Sequence, residues 1–389
     1  MTDETNSQIK YLSLFSGIGG FEHGLLRVKP EAVCIGFSEI AKRATAVYKK
    51  QWPQAHAYGD VCNITRSSVL RRYCERCAES DTSVCETHAD PSTAAIDLLL
   101  GGSPCQDFSP ARTDERKGFE GKKSCLMMEF FRLVNELRPK VFVLENIGTM
   151  LAKDAIRIDR QLKCGHVSVD ASRFTSQSRV RHFWTNASEQ IPPVTRKGPA
   201  FREMLDAKVD AKEILNTCEL SKLYHRLHVK KYNRTRHCKG GILPHVKTAT
   251  NIFTGLSYSF KKKSATLMRS SSNRTTNMLV YDDRLSYDEI QFCSETNCRL
   301  PWRRMSVAEC HRLQGFSISE TARTDAEALD ENLNRRERVA MLGDAVCVDV
   351  AEYLFRYIYD STARNSGQLS VSRMFARTLE KPQICDARQ

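Results

Sequence analysis

Short apolar runs recur along the chain. Each ends in glycine, a small polar residue or an acid, and most are followed by apolar residues at helical spacing. Tyr11-Leu12-Ser13-Leu14 runs into Phe15-Ser16-Gly17-Ile18-Gly19-Gly20-Phe21, then Leu25, Leu26 and Val28. This predicts a strand, a glycine turn and a helix whose first amides face the turn. Val33 to Phe37 reads as a second strand ending at Ser38-Glu39, and a third turn follows at Tyr58-Gly59-Asp60-Val61. Leu98-Leu99-Leu100 enters Gly101-Gly102-Ser103-Pro104-Cys105-Gln106, and Val141 to Leu144 ends in Glu145-Asn146. Between them the spacing of Leu126, Phe130, Leu133, Val134 and Leu137 predicts a helix over Cys125 to Leu137, stopped by Arg138-Pro139. Further helices are expected over Ile147 to Leu162, Met305 to Gly315, Asn334 to Leu342 and Val350 to Ile358. Strands are expected near Val167 to Val169 and through Gln177 to Trp184. The alternation is that of an α/β fold presenting reactive groups at the carboxyl edge of a sheet.

The alternation lapses between Pro192 and Pro301, where Lys230, Lys231, Arg234, Arg236, Lys261 to Lys263, Arg269 and Arg274 gather. The chain therefore divides into a polar tail (1–10), a main domain (11–191) carrying a cysteine-rich insertion (62–93), a smaller basic region (192–301), a return to the main domain (302–360) and a second polar tail (361–389). Lys and Arg number 59 against 46 Asp and Glu, a formal charge of +13, which suits a polyanionic partner as well as an ordinary solubilising surface. Met1 to Lys10 lacks the apolar core of a signal peptide, and no run is long enough to span a bilayer. The expectation is an intracellular, reduced chain without membrane contact, in which the 15 cysteines serve as buried thiols, nucleophiles or metal ligands.

Two groups of residues carry candidate chemistry at strand ends. Cys105 is the candidate nucleophile and Glu145 the candidate acid. On adjacent strands they can attack and protonate one flat ring. Glycine, Glu39 and Asp60 at three successive strand ends describe a nucleoside pocket, with an acid for ribose hydroxyls and another for an adenine amine; the alternative is that both acids cap helices. Arg179 and Arg181, two apart on an extended segment, share a face and suit a phosphate, the Glu145 carboxylate or a base carbonyl. Asp107 to Lys123, polar and basic with Gly118 and Gly121, reads as a loop able to close over substrate. Cys74, Cys77, Cys85 and His88 have the paired spacing of a zinc site built from three cysteines and one histidine; the other reading is an exposed insertion with incidental thiols.

The ordered set Leu14-Phe15-Ser16-Gly17-Ile18-Gly19-Gly20, Gly102-Ser103-Pro104-Cys105-Gln106, Leu144-Glu145-Asn146-Ile147, Gln177-Ser178-Arg179-Val180-Arg181, Met305 to Phe316 and Gly343 to Val348 resembles the cytosine-5 DNA methyltransferases from Tyr11 to Ile358. Gly101 to Cys105, Arg116-Lys117-Gly118, Glu129 to Leu133 and Arg269-Ser270-Ser271-Ser272 are most similar to the animal de novo subgroup. The resemblance implies a Rossmann-like, S-adenosylmethionine-dependent sheet with a smaller target-recognition region. It implies methylation of carbon 5 of a flipped-out cytosine, with CpG preference, through a Cys105 adduct aided by Glu145, Arg179 and Arg181. It extends the cofactor set to Phe15, Ser16, Gly17, Ile18, Gly20, Glu39, Ile40, Asp60, Val61, Ser103, Pro104, Asp344, Ala345 and Val346. Arg116, Lys117, Arg269, Arg274 and Arg335 would contact double-stranded DNA, Met128 to Arg132 would offer a subunit or regulatory surface, and the address would be nuclear. Asp344 departs from the family's usual asparagine or arginine, and the insertion with Cys74 to His88 is outside the subgroup's pattern. Alternatives are a transfer-RNA cytosine methyltransferase, a bacterial-type restriction companion and a non-catalytic DNA-binding scaffold.

Overall fold

β1 (Lys10–Leu14) forms the middle of the structure because its alternate residues are apolar toward both faces. Tyr11 enters one core with Leu98 and Leu100, while Leu12 and Leu14 enter a second core with Leu99. A strand buried on both sides belongs inside a parallel sheet covered by helices, and each fully buried Leu there contributes about 1.5–3 kcal/mol. In the computed structural model β1 lies between β2 (Val33–Ser38) and β4 (Leu98–Gly102). β3 (His56–Ala57) and β5 (Val141–Ile147) continue the parallel set; β7 (Val180–Thr185) runs antiparallel between β5 and β6 (His166–Asp170). The seven strands form one sheet of order β3-β2-β1-β4-β5-β7-β6. The residues described are 8–79, 85–108, 118–121, 126–187, 191–221, 266–267, 279–281, 285–293, 298–299, 302–317, 319 and 333–359.

Helices cover both faces. α1 (Gly20–Leu26) packs on α10 (Val348–Tyr359), with Phe21 edge-on to Phe355 and Phe183 at 6.3 and 6.5 Å between centroids. α2 (Lys42–Gln51) follows β2. α3 (Arg66–Tyr73), α4 (Glu75–Ala78) and α5 (Glu86–Ala89) lie between β3 and β4; α6 (Leu126–Leu137) and α7 (Ala152–Leu162) flank β5. α8 (Val307–Leu313) and α9 (Arg335–Asp344) precede α10. β8 (Leu279–Tyr281) pairs with β11 (Trp302–Arg304), and β9 (Phe292–Cys293) with β10 (Cys298–Arg299). Much of the basic region and the whole C-terminal tail lie outside the described residues. Among those described, no helix is long and apolar enough to cross a membrane.

Two of the boundaries that differ from expectation lie next to the site. α7 starts at Ala152 instead of Ile147 because β5 continues to Ile147, which pairs with Arg181, and Gly148 then donates to the Val180 carbonyl at 3.2 Å. The strand expected through Gln177 starts at Val180, since Gln177 and Arg179 are buried and bonded elsewhere. Along Met128 to Arg132, Met128 is 38% exposed and Glu129 and Arg132 are partly exposed, while Phe130 and Phe131 are core; Arg132 pairs with Glu129 and Glu136 and donates to the Val61 and Ile64 carbonyls.

Candidate active site

The carboxyl ends of β1, β2, β4 and β5 meet at one edge. Phe15 leaves β1 at φ 55°, a left-handed conformation that is strained for a bulky residue. The Ser16 amide donates to the Ser38 carbonyl at 3.1 Å, holding the turn against the end of β2. Gly19 sits at φ 91° against the Trp52 ring, so near that a Cβ would fall 2.3 Å from it; only glycine fits. At Gly20 a Cβ would fall 2.3 Å from the Val346 carbonyl oxygen, so the loop before α10 closes directly on the start of α1.

Glu39 reaches back over this turn. One carboxylate oxygen accepts from the Gly17 amide at 3.0 Å and the other from the Ala41 amide at 2.8 Å. Beside it Ile40 is 72% exposed, a large apolar side chain left uncovered at a strand end. Ser38 donates to the Gly59 carbonyl at 2.7 Å, which sets the third turn alongside. Asp60 is exposed and caps the following turn by accepting from the Cys62 amide at 3.0 Å, while the Val61 side chain is buried in the core.

The second half of the site stands on β4 and β5. Gly102 pairs in register with Glu145, and a Cβ on Gly102 would lie 3.6 Å from the Glu145 Oε2 and 3.8 Å from the Val346 Cγ2. Buried Asn146 donates to the Ser103 hydroxyl and carbonyl oxygens at 3.0 and 3.2 Å, fastening the β4 exit to β5 just before Pro104 and Cys105. Arg181 Nε lies 2.8 Å from Glu145 Oε1, an ion pair with little exposure on either side. Burial pushes the Cys105 thiol above its ordinary range. Arg181 and Arg179 oppose that shift, and Glu145 and Asp344 reinforce it. The resting sulfur is therefore a protonated thiol beside a carboxylate–guanidinium pair.

Arg179 is fully buried and donates to the carbonyls of Leu267, Ala345 and Gly343 at 2.7, 3.0 and 3.3 Å. Burial, then the like charge of Arg181, bring its pKa down to about 10. Its Nε has no hydrogen-bond partner among the described residues. Buried Gln177 works beside it, donating to the Leu313 carbonyl at 2.9 Å and accepting from the Leu267 amide at 2.6 Å.

The cysteine-rich segment folds elsewhere. Donor atoms of Cys74, Cys77, Cys85 and His88 all lie within 4.8 Å of one another. The segment follows α3 at the amino ends of the strands: Lys10, the first residue of β1, donates through its amide to Asp97 Oδ2 at 2.9 Å and through Nζ to the Tyr73 carbonyl at 2.9 Å.

Residues 9–360 match the model of one protein family, described as C-5 cytosine-specific DNA methylase. The chain belongs to that family. Over 150 residues it is 34% identical to the orphan methyltransferase M.Rho11sI of Bacillus phage rho11s, covering 38% of this chain and 25% of that one. Over 162 residues it is 32% identical to the type II methyltransferase M.NgoBV of Neisseria gonorrhoeae, covering 41% and 32%. These alignments span about a quarter to a third of the relatives' length. In fold the chain is similar to the Entamoeba histolytica methyltransferase EhMeth, with TM-score 0.63 and 14% identity over 92% of this chain and 99% of that one. It is also similar to the S. pombe Dnmt2 methyltransferase, with TM-score 0.60 and 14% identity over 92% and 99%.

Membership of the cytosine-5 methylases implies S-adenosylmethionine as methyl donor, and the β1–β2 edge fits such a molecule. Gly17 has open space where a Cβ would be, the Ser16 hydroxyl is buried without a bonding partner among the described residues, and Glu39 and Ile40 offer an acceptor and an apolar surface. Phe15, Ser16, Gly17, Gly20, Glu39 and Val346 are brought to this edge, with Ser103 and Pro104 on the adjoining β4 exit. Ile18 is buried in a third core with Ala345. Asp60 lies exposed at the third turn, where one of its carboxylate oxygens caps the turn that follows. Two assignments change. Arg179 is spent on backbone carbonyls, because a buried guanidinium must find acceptors, so it positions the 343–345 loop instead of reaching a ring. Arg335 is drawn inward: it donates to the Met305 carbonyl, and its Nε lies 3.2 Å from Glu213 Oε2, so it is no free DNA contact. Asp344 is the last residue of α9, and its charge is felt at Cys105. Arg116, Lys117, Arg269 and Arg274 lie outside the described residues, as does most of the loop from Asp107 to Lys123.

Sequence reasoning missed Gln177 as a tie and Asn146 as a fastener. It also missed the fully buried pair Arg303–Glu309, joined at 2.8 Å. The last had a legible signal: Ser306 and Glu309 form a capping box at α8, as the S-x-x-E spacing announces.

Proposed function

We propose that this chain methylates carbon 5 of cytosine in double-stranded DNA, with preference for cytosine followed by guanine, and that Cys105 is the nucleophile. The observation that carries the reading is the Glu145–Arg181 ion pair on β5 and β7, beside the Cys105 exit of β4, at the same sheet edge as the glycine turn. S-adenosylmethionine, when bound on the Phe15 to Gly20 turn, supplies the methyl group.

Carbon 5 of cytosine is a weak nucleophile until carbon 6 is occupied. The Cys105 thiol passes its proton to the Glu145 carboxylate as its sulfur bonds to carbon 6, and Glu145 hands that proton on to ring nitrogen N3. Arg181 holds the Glu145 carboxyl in place through its 2.8 Å contact. Carbon 5 then takes the methyl group, a base removes its proton, the carbon 6–sulfur bond breaks and N3 returns its proton. Sulfur must approach the face of the ring, so the cytosine has to leave the stack. The CpG preference, with Arg269 reading guanine, and a nuclear address rest on the resemblance to animal de novo enzymes. The tetrad at Cys74 to His88 takes one zinc ion in this reading, outside the reaction centre.

Transfer of labelled methyl from S-adenosylmethionine to duplexes containing CpG, to duplexes with other cytosine contexts and to transfer RNA tests the reading. Label on duplex DNA, highest at CpG, is expected. Label on transfer RNA alone would overturn the substrate, and equal label in every duplex context would overturn the CpG preference.

A further inference from the structure

The amino ends of the strands carry a four-donor cluster that methyl transfer does not use. Cys77 Sγ lies 3.4 Å from Cys85 Sγ and 3.7 Å from His88 Nδ1; Cys85 Sγ lies 3.9 Å from Cys74 Sγ and 3.2 Å from His88 Nδ1. A tetrahedral zinc ion with zinc–sulfur bonds of about 2.3 Å and zinc–nitrogen bonds of about 2.0 Å sets its donors roughly 3.5–3.8 Å apart; these four contacts, 3.2 to 3.9 Å, bracket that spacing. It is not the spacing of a disulfide, whose sulfurs stand about 2.05 Å apart. Three thiolates and an imidazole in a closed set of four select zinc over magnesium or calcium and leave no open position for catalysis.

The surroundings say what such an ion does. Cys77 is wholly buried and His88 nearly so, with the His88 ring edge-on to Tyr73 at 6.1 Å. Tyr73 donates its hydroxyl to Asp97 at 3.0 Å, and Asp97, which directly precedes β4, also takes the Lys10 amide and the Lys140 ammonium. Arg66, at the start of α3, donates to the carbonyls of Glu136 and Leu137 at the end of α6 and to those of Asp90 and Thr93 just after the tetrad. The cluster thus closes a short polar insertion whose two ends are tied to the starts of β1, β4 and β5.

We infer that Cys74, Cys77, Cys85 and His88 bind one structural zinc ion that staples the α3–β4 connection to the amino-end face of the sheet, and that the ion acts on stability and not on methyl transfer. The inference rests on taking the tetrad as a zinc site. It stands or falls separately from the methyltransferase reading, because its measurements do not require activity.

Metal analysis of the purified full chain is expected to find about one zinc per molecule. Cobalt replacing it should show the absorption of tetrahedral thiolate-bound cobalt. Cys74→Ser combined with Cys85→Ser should lose the metal, with Tm lowered by roughly 10 °C or more. Cys77 is buried enough that its replacement can fail to fold, so His88→Cys is the control: an all-cysteine set of donors should keep the zinc and hold Tm near the native value. No zinc in the native protein, or zinc retained by the double variant, would overturn the site. Zinc lost with Tm unchanged would overturn the staple. A many-fold fall in kcat for the metal-free protein, measured well below its own Tm, would overturn the separation from catalysis.

Discussion

The two ends of the parallel strands are built on opposite principles. At the carboxyl ends the backbone is strained at Phe15, the Ser16 hydroxyl is buried without a partner among the described residues, and a thiol is held protonated beside an ion pair. At the amino ends Asp97 takes Lys10, Tyr73 and Lys140, Arg66 spans four carbonyls, and four metal-type donors close on one another. One end keeps polar capacity in reserve for ligands; the other consumes it within the chain. Chemistry and stability are therefore expected to respond to different substitutions.

The largest effect should come from Glu145→Gln. The amide keeps the shape but cannot carry the proton or pair with Arg181, so kcat should fall by about 10²–10⁴-fold while Tm stays within a few degrees. A large loss of Tm instead would show that the ion pair serves the fold. Next come two substitutions that set the ends against each other. Gly19→Ala meets both the positive φ and the Trp52 ring, costs about 2 kcal/mol and should also weaken S-adenosylmethionine binding measured by calorimetry. Arg66→Ala should cost about 2 kcal/mol in denaturant unfolding and leave donor affinity and kcat unchanged. If both variants lost donor affinity equally, the ends would not be independent.

A further expected effect is in pH dependence. The reactive form is the thiolate, and the Cys105 thiol is raised above its ordinary value by burial. Raising the pH supplies thiolate, so the single-turnover rate should climb, by at most about tenfold per unit, from about pH 6 to 8.5. A flat profile would mean that sulfur addition does not limit the measured step.

The placement of Cys105 and Glu145 at the carboxyl edge of the sheet was legible in the sequence because each part is local. An apolar run ending in Gly-Gly-Ser-Pro-Cys, and another ending in Glu-Asn, announce strand ends with reactive groups whatever lies around them. The tetrad was legible for the same reason, its donors being paired within one turn and eight residues apart across the loop between Cys77 and Cys85. What escaped depends on contacts distant in the chain. Arg179 and Arg181 look equivalent two residues apart, but Leu267, Gly343 and Ala345 surround only the first. Arg335 reads as a free cation until Glu213 and Met305 fold beside it. The antiparallel strand between β5 and β6 could not be read either, because apolar alternation carries no direction.

The central claim is that Cys105 bonds to carbon 6 of cytosine, and a duplex carrying 5-fluorocytosine tests it directly. Fluorine at carbon 5 cannot leave as a proton, so the adduct formed after methyl transfer is frozen. With S-adenosylmethionine present, the native chain should give a protein–DNA complex that survives denaturing electrophoresis, with the cross-link mapping to Cys105, and Cys105→Ala should give none. A complex that persists in Cys105→Ala, or methylation of ordinary duplex without any trapped complex on the fluorinated one, would contradict the account.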